Sequence, residues 1–536
     1  SFSIDVAFPV ADEQTFVKAV ADISGNGNIF VVIWTTTPWT LPSNQAVCLN
    51  PDLDYVLLSC QPLNLPSGRY LVAELLVDQV LARWGVEDYE IVGRAKGHLF
   101  ELLSLNHPFN DRKVPIILGN HVTTDAGTGC VHTAPDHGVD DFIVAEKYKI
   151  TTLNYIADNG VFRKDVDFFA GEHIYKVDEQ VIELLKSKAR LLASSKFTHS
   201  YPHCWRTKTP LIYRATPQWF ISMTKNGLLE KAKKLVPSVS WYPEWGKARI
   251  DGMLENSPDW CISRQRTWGV PITLFVHNST GEIHPDTSKL IEVIAAGVEK
   301  QGIDFWYQTD IKDLLGDQAN DYSKVSDTLD VWFDSGVTHS AVLDDRKELQ
   351  FPADLYLEGS DQHRGWFQSS LKTAIAIKES SPYKAVMTHG FVVDASGHKM
   401  SKSVGNVLSP QQVINDQGAD VLRLWVAATD CSNEMSVSDE ILKRTGDSYR
   451  RIRNTARFFL SNLNDFDPSK NLVPFDDMLE LDRWAIGLTI ETHKEILAAY
   501  DGYQFHQIYQ KLHNFCVTDM GGFYLNIIKD RQYTCQ

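Results

Sequence analysis

The chain contains no apolar run approaching the roughly 20 residues that cross a bilayer as a helix, which excludes an α-helical membrane span. Its first residues, Ser1-Phe2-Ser3-Ile4-Asp5, offer neither an initiator Met nor the basic and apolar regions of a signal peptide. Ser1 is therefore expected to lie inside a longer protein. The eight cysteines form no C-x-x-C pair, so neither a disulfide framework nor a zinc knuckle is implied. The expectation is a cytoplasmic enzyme with reduced thiols. Internal repeats and low-complexity tracts are absent as well. Basic residues are in the minority: 52 Lys and Arg against 68 Asp and Glu give a net charge of -16, which argues against nucleic-acid binding over the whole surface. Screening over about 8–10 Å still permits a local patch. Lys443, Arg444, Arg450, Arg451, Arg453 and Arg457 stand against Asp447 alone. A solvated helix face and a phosphate contact are both open readings of that stretch.

What is present suggests several domains. A length of 536 residues, 43% hydrophobic and 22% charged, exceeds one core and implies about three or four domains. Residues 1–195 read as strand-rich, with β-branched runs at Ile29–Trp34 and Val114–Leu118 and a helix around Glu74–Trp84. From 196 to 430 strands alternate with helices: a strand at Asp354–Leu357, a helix from His363 through Ile377, a strand from Ala385 to Val393. This is the grammar of an open parallel sheet, in which ligands sit beyond the carboxyl ends of the strands. From 431 to 536 the chain reads as helical, near Asp439–Leu463, Leu479–Tyr500 and Phe505–Lys529.

Three groups of residues carry chemistry. Lys399-Met400-Ser401-Lys402-Ser403, between Gly397-His398 and Val404-Gly405-Asn406, makes a cationic, glycine-flanked loop. It suits a triphosphate, although a Lys/Ser stretch can equally be a solvated surface loop. Glu358, Asp361, Gln362, His363 and Trp366 surround the end of a strand. Carboxylates and an amide there suit a ligand with an ammonium group and ribose hydroxyls, and Trp gives a flat wall. The competing reading is a helix N-terminus capped by Asp361. In the β-rich region, Trp34-Thr35-Thr36-Thr37-Pro38-Trp39-Thr40-Leu41-Pro42-Ser43-Asn44 sets three hydroxyls before a rigid proline. Gly127 to Asp141 adds glycines, His132, His137, Asp140 and Asp141. Threonine runs often reflect strand propensity alone, and the His/Asp cluster could suit a metal.

The five-residue lysine loop resembles the signature of class I aminoacyl-tRNA synthetases. The string Glu358 to Phe367 resembles the isoleucyl-tRNA synthetase family, and Trp260–Pro271 and Asp327–Gly336 resemble signatures of the Ile/Val/Leu subgroup. The resemblance covers nearly the whole chain. It implies a multidomain α/β fold: a β-rich editing domain (1–195) inserted in a Rossmann-like nucleotide-binding domain whose second half is 196–430. The start of a helical tRNA-binding domain (431–536) follows. By resemblance Glu358, Asp361 and Gln362 contact isoleucyl-adenylate, and Trp332 and Trp366 wall the side-chain pocket. Lys399 and Lys402, in the loop with Met400, Ser401 and Ser403, stabilise the triphosphate of ATP, which arrives with Mg2+. Thr35, Thr36, Thr37, Asn44 and His132 line a hydrolytic pocket in which Asp141 grips the α-amino group of a misattached valine. The family edits without a metal there.

A second pocket has a physical rationale, because one methylene is worth only about 1–3 kcal/mol in a hydrophobic site. Expected partners are isoleucine, ATP and tRNA(Ile), with a monomeric enzyme and no membrane. The family's His-x-Gly-His signature does not occur here, so an internal piece lacking the upstream half of the fold is expected, inactive by itself in aminoacylation. Thr207 ends the His203-Cys204-Trp205-Arg206-Thr207 string where some relatives have a second Cys. Zinc is expected only in a C-terminal tail beyond Gln536.

Overall fold

Short β-branched and aromatic runs punctuated by Gly, Asn, Asp and Pro fold into a mixed sheet in the first of two compact units, Ser1–Pro217 and Gln218–Gln536. The computed structural model describes residues 1–21, 23–401 and 405–534. The ten strands of the first unit are β1 (Phe2–Pro9), β2 (Ile29–Thr35), β3 (Ala46–Leu49), β4 (Asp54–Cys60), β5 (Gly68–Ala73), β6 (Tyr89–Lys96), β7 (Ser104–Asn106), β8 (Lys113–Leu118), β9 (Cys130–Thr133) and β10 (Leu191–Lys196).

Six of them close into a ring. β1 pairs with β2, β2 with β9, β9 with β3, β3 with β8 and β8 with β7. The Val10–Leu105 bridge then returns the ring to β1. Closure leaves no free edge in the ring, while β5, β4 and β6 extend outward from β2 and β10 lies on β1. The core holds Phe8, Phe16, Tyr55, Tyr70, Trp84 and Phe100, all fully buried. Each large apolar side chain of this kind contributes about 1.5–3 kcal/mol by leaving water. The helix Val77–Trp84 lies within the stretch expected to be helical. Residues beyond 195 continue to bond within this unit, through Phe197 N to Ser1 O and Ala215 N to Asp136 O.

In the second unit β11 (Ser240–Tyr242), β12 (Ala353–Gly359) and β13 (Tyr383–His389) form a parallel sheet in the order β11–β13–β12. The helix Trp366–Lys378 covers it, burying Phe367, Leu371 and Ile375 against Tyr356, Tyr383 and Val386. The strand expected over 385–393 stops at His389 and resumes only at Val392. A Cβ on Gly390 would fall 2.0 Å from Asn433 O, so a neighbouring backbone crosses there and interrupts the ladder. The helix expected from His363 begins at Trp366, preceded by a tight turn over Ser360–His363.

Helices dominate after 438. Ser438 caps Asp439–Ser461 by accepting from Ile441 N at 3.3 Å, with Asp439 and Glu440 in the first turn. Glu480–Asp501 follows. The single helix expected over Phe505–Lys529 is instead Phe505–Asn514, a widened π-type segment Phe515–Tyr524 around Gly521-Gly522, and Leu525–Thr534. Among the described residues no helix is long and apolar enough to cross a membrane.

Candidate functional site

The first unit gathers hydroxyls, an amide and imidazoles at the turn Pro38–Ser43, which links β2 to β3, and at β9. Asn44 Nδ2 donates to Ala46 O at 2.8 Å, and a carbonyl can only accept, so this bond fixes the amide orientation. The same nitrogen therefore donates to His132 Nδ1 at 2.7 Å. His132 must carry its proton on Nε2, which donates to Thr40 Oγ1 at 2.9 Å. Thr40 passes its own proton to Thr37 O at 2.8 Å. Thr37 Oγ1 lies 3.3 Å from both Thr40 Oγ1 and Thr35 Oγ1, and Thr37 N donates to Thr35 Oγ1 at 3.1 Å.

Burial pushes the His132 imidazole down to about 3, with His137 and Arg112 adding to the effect. Its neutral form agrees with the bonding, since a proton on Nδ1 would face the Asn44 amino group. Both ring nitrogens are engaged, so neither is free for a metal or a proton transfer. Asn44 Oδ1 is buried and has no donor among the described residues.

His137 Nδ1 donates to Tyr213 O at 2.9 Å and Nε2 accepts from Ser43 Oγ at 3.1 Å, with the ring edge-on to Trp39. Asp141 sits in the first turn of the helix Val139–Lys147. One of its oxygens accepts from Ala134 N at 2.8 Å, tying it to the end of the strand that carries His132. Burial pushes the Asp141 carboxyl up to about 6; the Ala134 bond opposes the shift and Asp140 reinforces it.

Thr35, Thr37, Asn44 and His132 thus share one network, Asp141 joins it through the backbone, and Thr36 takes no part. β2 ends at Thr35 and the chain bends at Thr36, so that the Thr37 N–H and hydroxyl turn back onto Thr35 Oγ1. Thr40 was not singled out by sequence, yet it bonds His132 directly. A signal was available: in a 3₁₀ turn side chains three apart eclipse, which aligns Thr40 with Thr37.

In the second unit, Glu358 and Asp361 are exposed at the carboxyl end of β12. Glu358 Oε2 accepts from Gly359 N at 2.9 Å, and Asp361 Oδ2 accepts from Gln362 Nε2 at 3.3 Å. Gln362 Oε1 accepts from Trp366 N at 3.1 Å, so Gln362 and not Asp361 serves the start of that helix. The Trp366 ring stacks on Tyr356 at 4.0 Å and its Nε1 donates to Ser335 O at 3.0 Å.

Trp332 lies against the same turn, where a Cβ on Gly365 would come 2.7 Å from its ring. A cleft of about 620 Å³ is lined by Trp260, Arg264, Trp332, Arg364, Gly365 and Lys372. Trp366 is not among its lining residues. Lys372, also missed by sequence, is buried and donates to Ser257 Oγ at 2.9 Å; burial pushes its ammonium down to about 8.

Lys399 is exposed, with Nζ 4.1 Å from the Phe391 ring centroid. Asn406 ties the loop together: Nδ2 donates to Asp394 Oδ2 and Oδ1 accepts from Ser401 N, both at 2.9 Å. Met400 packs on the Val413, Trp425 and Met435 cluster. Lys402 and Ser403 lie outside the described residues. Along the helix Asp439–Ser461, Arg444 pairs with Glu440 and Arg450 with Asp447. Among the described residues Lys443, Arg451, Arg453 and Arg457 form no ion pair and are exposed.

Comparison with known proteins adds an independent measure. Residues 27–438 match the family described as tRNA synthetases class I (I, L, M and V), and residues 482–536 match the anticodon-binding domain of tRNA ligases. The sequence is 65% identical over 536 residues to an isoleucine–tRNA ligase of Teredinibacter turnerae, covering all of this chain and 57% of that protein. It is 64% identical over 534 residues to one of Saccharophagus degradans, with the same 57% coverage. The chain therefore spans a little over half the length of these relatives.

Proposed function

The chain belongs to the class I tRNA synthetases of the isoleucine, leucine, methionine and valine group, and from that premise we propose that it is part of an isoleucine–tRNA ligase. The observation that carries the choice of isoleucine is the likeness to isoleucine–tRNA ligases along the whole chain. In this reading residues 1–195 are the editing domain, 196–430 the second half of the nucleotide-binding domain, and 431–536 the start of the tRNA-binding helices. The enzyme is a cytoplasmic monomer acting on isoleucine, ATP and tRNA(Ile), with magnesium entering as part of the ATP complex.

In synthesis, an isoleucine carboxylate oxygen attacks the α-phosphorus of ATP. A carboxyl–phosphate bond forms, the bond to the β-phosphate oxygen breaks, and pyrophosphate leaves. A terminal tRNA hydroxyl then attacks the carbonyl and AMP departs. Glu358 and Asp361 accept from the ammonium and ribose groups, Gln362 adds a contact, and Trp332 and Trp366 shape the side-chain pocket. Lys399 and Lys402 offset charge on the departing phosphates. No covalent protein nucleophile is needed, since positioning and charge stabilisation suffice.

In editing, water attacks the ester carbonyl of valyl-tRNA and the tRNA hydroxyl leaves with the proton. Asp141 holds the α-ammonium of valine with its carboxylate. The Thr35 and Thr37 hydroxyls orient water, and His132 holds Thr40 and Asn44 in place rather than shuttling a proton, because both its nitrogens are engaged. The network lies wholly within Ser1–Pro217, which favours a second reading for this chain alone, a valyl-tRNA deacylase.

Two measurements test these proposals. Pyrophosphate exchange by the full-length protein should respond most strongly to isoleucine; a stronger response to leucine, methionine or valine would overturn the substrate assignment. Asp141→Ala should abolish deacylation of valyl-tRNA, and an unchanged rate would remove Asp141 from the site.

A further inference from the structure

A neighbouring loop holds three carbonyls at the far end of the turn that carries Thr37, Thr40 and Asn44. Between β7 and β8, His107 Nε2 donates to Leu41 O at 3.0 Å, and Arg112 Nη2 donates to Pro42 O at 2.6 Å and to Asn44 O at 2.5 Å. Asn110 Nδ2 adds a longer contact to Pro42 O at 3.5 Å. Arg112 Nη1 donates to Tyr155 OH at 3.3 Å, and its guanidinium lies 6.0 Å from the Tyr155 ring centroid. Among the described residues no carboxylate pairs with Arg112. A half-buried cation whose bonds are spent on backbone carbonyls is costly unless those carbonyls need holding.

We propose that Arg112 is a positioning residue for the hydrolytic pocket: it fixes the Pro42 and Asn44 carbonyls and thereby sets where the Asn44 amide meets His132. The inference rests on the editing reading above. Arg112 touches no substrate in this account. It acts through a chain of bonds running from its guanidinium to Asn44, then His132, then Thr40. Lysine would keep the charge but lose the planar fork and the Tyr155 contact. The Arg112 charge also helps to keep His132 neutral, in the same direction as burial.

The test uses the whole chain, with valyl-tRNA deacylation kinetics and ring-nitrogen NMR of His132. Arg112→Met should lower kcat by on the order of 10–100-fold, the scale of a misplaced reacting geometry, while KM changes by less than about twofold. The Nε2–H tautomer signature of His132 should weaken in parallel. Arg112→Lys should fall between wild type and Arg112→Met in both readouts, and it carries the test if the Met variant does not fold. Wild-type kcat and an unaltered His132 signature in the Lys and Met variants would overturn the inference. So would a loss of kcat with His132 unchanged, because the effect would then bypass the Asn44 bond. Asp141→Ala separates the two proposals: if it stays active the editing reading fails, and if it is dead while Arg112 variants behave as wild type only the Arg112 inference fails.

Discussion

The two candidate sites are built on opposite principles. In the first unit His132, Asn44 and Thr40 are buried, and, apart from Asn44 Oδ1, their side-chain polar atoms bond to another member of the network or to the backbone. In the second unit Glu358, Asp361 and Lys399 stand exposed, and among the described residues the carboxylates bond only to their immediate neighbours in sequence. A buried network with nearly all its polar atoms paired is organised before any ligand arrives, because its members cannot move without orphaning a partner. Exposed charges hold no such geometry; a ligand must order them. In the proposed reading the contrast follows from the task. Editing orients one water against one small side chain, whereas synthesis assembles three substrates.

The largest break in this contrast should come from the buried side. His132→Ala leaves the Asn44 amino group and the Thr40 hydroxyl without their partner and opens a cavity, so unfolding free energy should drop by about 2–4 kcal/mol. Urea titration of the full chain, read from amide signals of the first unit, measures it. A loss near zero would mean that the network is not preorganised.

Acid should reveal the same difference with a smaller effect. His107 and His132 fall from 6.5 to about 3, in both cases mainly through burial. Their folded pKa values are depressed, so the unfolded chain binds more protons as pH falls. First-unit stability should therefore decline from about pH 6.5 towards 3. Asp141 runs the other way: raised from 3.8 to about 6, it favours the folded state fully below 3.8 and loses that contribution as pH rises through 6. Among these three groups the two large histidine shifts outweigh the smaller Asp141 shift, giving a loss on acidification. His107→Asn should flatten the urea midpoint against pH, and an undiminished slope would assign the acid sensitivity elsewhere.

The smallest effect on folding belongs to the open site. Glu358→Gln removes an exposed carboxylate and should change stability by less than about 0.5 kcal/mol. It should still weaken isoleucine activation in the full-length protein. A folding cost above 1–2 kcal/mol, the scale of a buried polar group left unpaired, would show that this site is preorganised as well.

Much of the architecture is legible in the sequence. The runs Ile29–Trp34 and Val114–Leu118 became strands, and the alternation of strand and helix over 354–393 anticipated the parallel sheet β11–β13–β12. Errors arose where backbone approached backbone. Nothing local at Gly390 announces that Asn433 passes within reach, and in Phe505–Lys529 the pair Gly521-Gly522 is the one local mark of the widened segment that begins at residue 515. Of the residues that the resemblance assigns to the hydrolytic pocket, Thr35, Thr37, Asn44 and His132 come together in one hydrogen-bond network. Thr40 belongs to the same network only because the chain forms a 3₁₀ turn over Pro38–Ser43, which the threonine run does not itself reveal. Arg112 and His107 were invisible for a stronger reason: they act from a hairpin more than sixty residues along the chain, on carbonyls that every residue possesses.

Sequence by itself determined the family to which the chain belongs, since strings such as Glu358–Phe367 and Lys399–Ser403 are local and survive without any knowledge of the fold. It also determined which stretches would be strand and which helix, through periodicity and turn residues. Tertiary structure alone decided which of these residues cooperate. A hydrogen bond of 2.7 Å between Asn44 and His132 depends on two strands meeting in register. The neutral state of that imidazole depends on burial, which no residue carries in its own side chain.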